Sequence, residues 1–206
     1  MKRNYQIELE NELARFDSKR RLLLHACCAP CSSYVLEYLT SYFDITVFFY
    51  NPNITSREEY SKRLAELRRL AGLLPHENTI DIVEGDYEPE RFLELSRGLE
   101  ALPEGGARCF SCYRLRLEKT AEYFAAHRSD FDYFATTLTV SPHKNAEKLN
   151  EIGFMLAEKY SLCWLPSDFK KREGYKCSIE LSRLYDLYRQ DYCGCEFSRR
   201  LKHGDD

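Results

Sequence analysis

The sequence predicts an α/β protein with a doubly wound, mostly parallel sheet. Short apolar runs alternate along the chain with longer segments whose apolar residues recur at helical spacing. The first unit reads β-α-β, with apolar runs at 22–25 and 45–50, and such a crossover favours parallel pairing. The first run ends abruptly in Cys27, Cys28 and Cys31. In an open α/β sheet, the carboxyl ends of strands are where sites are built.

Local signals define the elements of the first half of the chain. Residues 1 to about 20 have the apolar spacing of an amphipathic helix, and Pro30 suits the first turn of a helix after the cysteines. Ser56 and Glu59 form a capping box in front of another helical pattern. A third strand is then expected at 79–83.

The second half continues the alternation of helices and strands. The elements expected there are a helix after Pro89, a loop at 102–108, a helix from Cys112, a fourth strand at 133–138, a helix opened by 141–144 and continuing to about 159, a fifth strand at 161–166, a polar loop at 167–177 and a last helix ending just before Tyr192. These elements suffice for helices on both faces of one sheet.

Length and composition bound the class of protein. With 206 residues, 44% of them hydrophobic, the chain is expected to form a single α/β domain over 1–206, in which 167–206 is a C-terminal extension that completes a metal site. No apolar stretch is long enough to span a membrane, and the charged start has no apolar core for secretion, so a cytoplasmic protein is expected. The net charge of -3 does not suggest a general nucleic-acid binder, although a basic cluster at 170–176 leaves room for a local phosphate site.

Cysteines carry the clearest chemical signal. A chain of this length and hydrophobic content needs no disulfide framework, so clustered cysteines indicate metal or redox chemistry. Seven of the nine fall into three groups, namely Cys27, Cys28 and Cys31; Cys109 and Cys112; and Cys193 and Cys195. Seven thiolates exceed the four that one zinc ion or one 4Fe-4S cluster uses, which leaves three for a second metal or for redox work. The isolated Cys163 and Cys177 are interpreted as core residues.

Three interpretations of the grouped cysteines remain open at this point. The groups are separated by about eighty residues each, which suits a cofactor held within a fold better than a local zinc clip. Thiol-disulfide exchange by Cys28 and Cys31, at the start of a helix, is the second interpretation. The third is a non-catalytic zinc-binding or RNA-binding module in which the cysteines serve stability.

Five motifs, in order over nearly the whole chain, carry a family resemblance: HACCAPCS, RCFSC, TTLTVSPHK, DFKKREGY and LYRQDYCGC. The set closely resembles the epoxyqueuosine reductase QueH family. The resemblance implies a cobalamin-independent oxidoreductase that removes the epoxide oxygen from epoxyqueuosine at the wobble position of a tRNA anticodon, giving queuosine. It also implies a fold of the adenine-nucleotide hydrolase and ATP-pyrophosphatase (HUP) type, a 4Fe-4S cluster, a neighbouring single iron and an electron donor that the sequence does not identify.

The cysteine-containing loop HACCAPCS is informative about both ATP binding and metal binding. A pyrophosphatase of this fold would carry a Gly-rich phosphate loop after the first strand, whereas HACCAPCS contains no glycine, so ATP is not expected to bind there. In the preferred partition of the implied metals, the cluster takes Cys28, Cys109, Cys112 and Cys193, with Cys195 and Cys27 as alternates, and the single iron takes Cys27, Cys31 and Cys195. A swap of Cys27 and Cys28 remains open.

The resemblance also suggests which residues serve the reaction. In this hypothesis the cluster supplies single electrons, the iron acts as a Lewis acid, and two protons complete the removal of oxygen as water. Candidate proton donors by motif position are His143, Tyr175 and Tyr192, although His143 is equally suited to capping the next helix. Candidate tRNA contacts are Tyr50, Asn51 and Asn53 at the second strand's end, with Lys144, Lys170, Lys171, Arg172 and Lys176 for phosphates, the last four being also compatible with a solvated charged loop. His25 is interpreted as a satisfied core histidine.

Overall fold

A computed structural model describes residues 3–75 and 80–198. Its elements are α1 Tyr5–Leu13, β1 Arg20–His25, α2 Ala29–Leu39, β2 Phe43–Phe49, α3 Arg57–Leu73, β3 Asp81–Glu84, α4 Pro89–Ser96, α5 Ala107–Ala126, β4 Tyr133–Thr136, a 3₁₀ helix Thr137–Val140, α6 Ala146–Tyr160 and α7 Gly174–Leu184. Among these described elements, no helix is both long and apolar enough to cross a bilayer.

The four strands form one parallel sheet in the order β3-β2-β1-β4. In its register, Leu24 of β1 pairs with Val47 of β2 on one side and Ala135 of β4 on the other. The chain therefore runs outward from β1 through β2 to β3 and then crosses to the opposite side of β1. The carboxyl ends of β1 and β4 flank the point where the winding direction reverses, which is where α/β sheets form their crevices.

Helices cover both faces of the sheet, as predicted. Leu22 and Leu24 of β1 are fully buried in a core that α1, α2 and α3 share, whereas Leu23 points into a second core built by α5 and α6. This alternation is the period-two pattern of a strand, and each buried leucine contributes roughly 1.5–3 kcal/mol relative to exposure. The predicted doubly wound α/β class is confirmed.

Several predicted boundaries are wrong. The expected fifth strand at 161–166 is only an isolated bridge between Phe134 and Trp164, because the Trp164 indole turns to donate to Asn150 Oδ1 at 3.0 Å. The helix expected to open at 141–144 begins instead at Ala146, since the Asn145 side chain caps it.

The boundaries of other elements also differ from the predicted ones, for similar local reasons. The first helix is shorter than expected, and α5 begins at Ala107, five residues before the expected start, so both cysteines of the C-x-x-C motif lie on the helix. The polar loop expected over 167–177 turns helical at Gly174, because α7 packs along α2 from that point and ends at Leu184. The third strand begins at Asp81, and the start expected for it, at 79, lies outside the described residues.

Replacing Gly153 in α6 by alanine is expected to lower the free energy of unfolding by about 1–3 kcal/mol, as overpacking of a core does. A Cβ atom at this position would overlap the indole ring of Trp164. The matched control is Gly72→Ala in α3, where a Cβ meets nothing within 4 Å, and a small gain in stability is expected from the better helix former. Urea denaturation of both variants checks the pair, and equal effects would contradict the packing argument.

Candidate metal centre

The first cysteine group lies at the carboxyl end of β1. Cys27 follows the strand, Cys28 is the extended N-cap of α2, and Cys31 lies in the first turn of that helix. The three sulfurs lie within 4.8 Å of one another, and those of Cys27 and Cys28 are 3.6 Å apart. A tetrahedral metal with bonds of about 2.3 Å to sulfur holds its sulfurs about 3.8 Å apart. The geometry therefore suits a single metal ion.

Mutual hydrogen bonds divide the charge within this first group. Hydrogen bonds with the Cys28 and Cys31 thiols hold the pKa of Cys27 well below the usual range, and the nearby Arg116 lowers it further. The same contact with Cys27 raises the pKa of Cys28 to about 12 and that of Cys31 well above its ordinary value. The group thus shares negative charge centred on Cys27. Metal binding would displace the remaining protons, because metals bind thiolates.

The second group brings together cysteines from two distant segments. Cys109 and Cys112 lie three residues apart at the start of α5 and so share a helix face. Cys193 and Cys195 arrive on the segment after α7, where Gly194 between them has a φ of 103°, a conformation that favours glycine. All four cysteines line one small cavity. Topology, rather than a local motif, assembles this group.

Burial favours the protonated thiols of Cys112 and Cys195 when no metal is bound. It raises the pKa of Cys112 to about 11 and that of Cys195 to about 12, and the nearby Cys193 adds to both shifts. Lys144 Nζ lies 3.0 Å from Cys193 Sγ and 3.6 Å from a carboxylate oxygen of Glu104. This predicted phosphate contact is therefore buried beside a cysteine.

A larger cavity of about 260 Å³ lies between the groups and opens to solvent. The three candidate proton donors, His143, Tyr175 and Tyr192, all line it, together with Cys27, Cys31, Cys193, Arg63, Lys144, Arg189 and Asp191. Asn145, not His143, caps α6, which removes the alternative interpretation of His143 as the cap. The structure thus gathers the predicted donors and three of the cysteines around one space.

The predicted substrate contacts at the end of β2 lie behind this cavity. Tyr50 and Asn51 are fully buried, with the Tyr50 hydroxyl donating to Glu88 at 2.9 Å and the Asn51 amide to the Ala26 carbonyl at 2.9 Å. Asn53 is also buried and donates to the Cys193 carbonyl at 3.3 Å. Their positions suit residues that hold the cysteine-bearing loops more than residues that touch a large substrate.

The four basic residues of the cluster at 170–176 do not line either cysteine cavity, although Tyr175 within that range lines the larger one. Three of its members form ion pairs: Lys170 with Asp168 at 2.6 Å, Arg172 with Glu10 at 3.0 Å and Lys176 with Glu173 at 3.4 Å. Lys171 is exposed. The cations on the wall of the larger cavity are instead Arg63, Lys144 and Arg189.

Three further residues discussed in the sequence analysis, Cys163, Cys177 and His25, belong to neither cysteine group. Cys163 is exposed, so its interpretation as a core residue is wrong: without a regular strand, Trp164 and Leu165 turn inward while Cys163 faces solvent. Cys177 in α7 is half-buried, and all nine cysteines are free thiols. His25 is fully buried, with Nδ1 2.9 Å from Thr136 Oγ1, in agreement with a satisfied core histidine.

Two buried arginines next to the cysteines were missed by reasoning from the sequence. Arg63 of α3 donates to the Cys193 carbonyl at 3.2 Å, and Arg116 of α5 lies one turn beyond Cys112. A signal was present, because each arginine falls on the apolar face of its helix, Arg63 between Tyr60 and Leu67 and Arg116 beside Leu117. A charge in such a position needs a specific partner.

The fold and the cysteine-lined crevice together define an α/β protein with a candidate metal centre at its topological switch point. The chain belongs to the epoxyqueuosine reductase QueH family, whose sequence model, described as Epoxyqueuosine reductase QueH, matches residues 22–201. The membership that the motifs suggested is thereby confirmed.

Individual relatives support this membership over most of the chain. A protein named epoxyqueuosine reductase QueH from Streptococcus pyogenes serotype M1 is 45% identical over 188 residues, covering 88% of this chain and 71% of the relative. Proteins of the same name from Staphylococcus epidermidis and Thermotoga maritima are 40% identical over 210 residues and 35% identical over 193 residues. These alignments cover 98% and 89% of this chain, and 87% and 94% of the respective relatives.

Proposed function

We propose that this protein is an epoxyqueuosine reductase that acts in the cytoplasm on the wobble nucleotide of a tRNA anticodon. The reaction takes up two electrons and two protons, breaks both carbon-oxygen bonds of the epoxide and gives the alkene of queuosine and one water. The observation that carries the proposal is the meeting of two cysteine groups at one solvent-open cavity, in a chain of this family. Neither ATP nor cobalamin takes part in the proposed reaction.

The sulfur positions favour one assignment of the implied metals. A 4Fe-4S cluster uses four thiolates, and the second group, Cys109, Cys112, Cys193 and Cys195, supplies four around one cavity. The tight first group, Cys27, Cys28 and Cys31, suits the single iron and leaves it a position for substrate. Relative to the sequence-based preference, this assignment exchanges Cys28 and Cys195. When bound, the cluster would supply single electrons and the iron would supply Lewis acidity.

The residues of the chain itself would then bind the nucleotide and move protons. His143, Tyr175 and Tyr192 surround the cavity from three segments and carry polar hydrogens that can reach a leaving oxygen. A single-stranded anticodon loop can present a splayed base to such a cavity, with its phosphates near cations. Arg189 lines the cavity and fits that role, whereas Lys170, Lys171, Arg172 and Lys176 are candidates for phosphates farther from the wobble base.

The function is tested with anaerobically purified protein, tRNA carrying epoxyqueuosine and dithionite as the electron source. Nucleoside mass spectrometry is expected to show loss of one oxygen from the modified base, by a brown protein that contains iron and sulfide. The Cys163→Ala variant should retain full turnover, because Cys163 is exposed and outside both groups.

Two other outcomes would replace the proposal. A colourless protein that holds stoichiometric zinc and leaves the epoxide intact would favour a zinc-binding or RNA-binding module. Disulfide exchange by metal-free protein, again with an intact epoxide, would favour a thiol oxidoreductase.

A further inference from the structure

Arg116 is a buried cation at the junction of the two cysteine groups. It projects from α5 one turn beyond Cys112 and is 1% exposed. Its guanidinium lines the small cavity that also contains Cys109, Cys193 and Cys195. On the other side, its Nη2 donates to Asn51 Oδ1 at 2.6 Å.

Two of the other cations beside the cysteines have carboxylate partners, whereas Arg116 has none within the described part of the chain. Arg63 pairs with Glu59 at 2.7 Å and Lys144 with Glu104 at 3.6 Å. Over residues 3–75 and 80–198, no Asp or Glu oxygen forms a salt bridge with Arg116. A guanidinium stays protonated in proteins, and an unpaired charge in the interior is costly. The balancing negative charge must therefore come from another kind of group.

The groups around Arg116 that can carry negative charge are cysteine sulfurs, which become thiolates when they bind a metal. Burial lowers the pKa of Arg116, but Cys112, Cys27 and Cys193, in that order, outweigh burial and raise the pKa. A hydrogen bond to the Cys112 thiol adds to this effect. Cys27 belongs to the first group and the other two belong to the second, so one cation interacts with both.

Neutral partners hold the guanidinium in this place. Burial, and then the charge of Arg116, lower the pKa of His25 to about 3, so the imidazole is neutral. Arg116 Nε lies 3.4 Å from His25 Nε2, which also lies 3.2 Å from the Tyr50 carbonyl, and the other ring nitrogen, Nδ1, lies 2.9 Å from Thr136 Oγ1. Asn51, itself fixed by the Ala26 carbonyl, accepts from Nη2. His25 and Asn51 therefore orient the cation without neutralising it.

We propose that Arg116 is a positioning residue whose permanent positive charge balances the thiolates of both cysteine groups and favours the reduced state of the metal groups bound there. The proposal builds on the metal assignment of the proposed function. Its physical basis is Coulombic, because reduction adds negative charge and a fixed cation in a low-dielectric interior stabilises that charge. Loss of the cation should therefore disfavour reduction and weaken metal binding.

The test compares charge removal at Arg116 with charge removal elsewhere on the same helix. Redox titration of anaerobic holoprotein, followed by visible absorption, should show reduction at least tenfold less favourable in Arg116→Gln, a midpoint about 59 mV more negative for one electron. Co²⁺ titration of metal-free protein should show at least tenfold weaker binding. Arg116→Lys should change both less than threefold. Arg114→Gln, on the exposed face of α5, should change neither.

Asn51→Asp provides a second variant should Arg116→Gln not fold. It keeps an oxygen acceptor for Arg116 but places a carboxylate against the guanidinium, so a shift in the same direction is expected. A folded Arg116→Gln or Asn51→Asp protein with wild-type midpoint and Co²⁺ affinity would overturn the proposal. Both measurements are independent of turnover: unchanged epoxide with shifted midpoints would refute the proposed function and leave the role of Arg116 intact.

Discussion

Replacing Cys112 by alanine is expected to abolish epoxide removal and to eliminate the cluster, whereas replacing Cys28 should remove about one iron and leave the cluster in place. The reason is the separation of the sulfurs. Cys112 shares a cavity with Cys109, Cys193 and Cys195, while the Cys28 sulfur lies 3.6 Å from that of Cys27. A 4Fe-4S cluster that loses one of four thiolates loses an anchor it needs.

Iron and acid-labile sulfide per chain, measured on anaerobically reconstituted protein, distinguish these outcomes. Cys112→Ala should lose about four iron and the sulfide, with the broad visible absorption, whereas Cys28→Ala should keep the sulfide. Turnover should fall at least 100-fold in both, since the proposed reaction requires each metal group. Cys177→Ala in α7 is the matched control and should resemble the wild type. Loss of sulfide from Cys28→Ala would instead support the partition preferred from the sequence.

The main features of the fold follow from local patterns in the sequence. The apolar run before Cys27 and the helix-compatible Pro30 after it predict a strand end and a helix start, and the structure has both. Parallel pairing follows from the β-α-β order. The prediction of a fifth strand was wrong because the short apolar run at 161–166 matches strand periodicity but has no partner strand along its length.

The site was harder to predict because its distances depend on topology. Spacing marks Cys109 and Cys112 as a pair, but only the winding of the sheet and the path of the segment after α7 bring Cys193 to them. A position at the end of a strand does not tell whether a side chain faces an open cavity or packs in the protein interior. Tyr50 and Asn51 were therefore predicted as substrate contacts, although both are buried. Buried cations were missed because charged residues usually face solvent.

The segment after α7, residues 185–195, delivers Cys193 and Cys195 and is held to α3 largely by polar contacts. Arg69 Nη2 donates to the carbonyls of Tyr185 at 2.9 Å and Asp186 at 2.8 Å, and Arg63 Nη1 donates to the Cys193 carbonyl at 3.2 Å. Arg63 is also the most deeply buried of these anchors, with its side chain 1% exposed and Nε 2.7 Å from Glu59. Replacing Arg63 should therefore affect the site more than replacing a residue that makes only a surface contact.

Replacing Arg63 by methionine is expected to lower turnover at least 100-fold and the free energy of unfolding by about 3–5 kcal/mol, because the mostly buried Glu59 carboxylate loses its cation and keeps only the neutral Tyr188 hydroxyl as a side-chain donor. The Cys193 carbonyl would keep only the hydrogen bond from Asn53, and this weaker anchoring should also cost the cluster. Urea denaturation, iron content and turnover measure the three effects. Arg68→Met, an exposed position on the same helix, should change none of them appreciably.

A double variant separates stability from delivery of the cysteines. In Glu59→Gln/Arg63→Met the unpaired charge is gone, so much of the lost stability should return. The hydrogen bond from Arg63 to the Cys193 carbonyl is still missing, so iron content and turnover should stay low. Recovery of all three quantities together would show that Arg63 serves only the stability of the fold. Recovery of stability alone would show that this arginine positions the cysteine-bearing segment over the site.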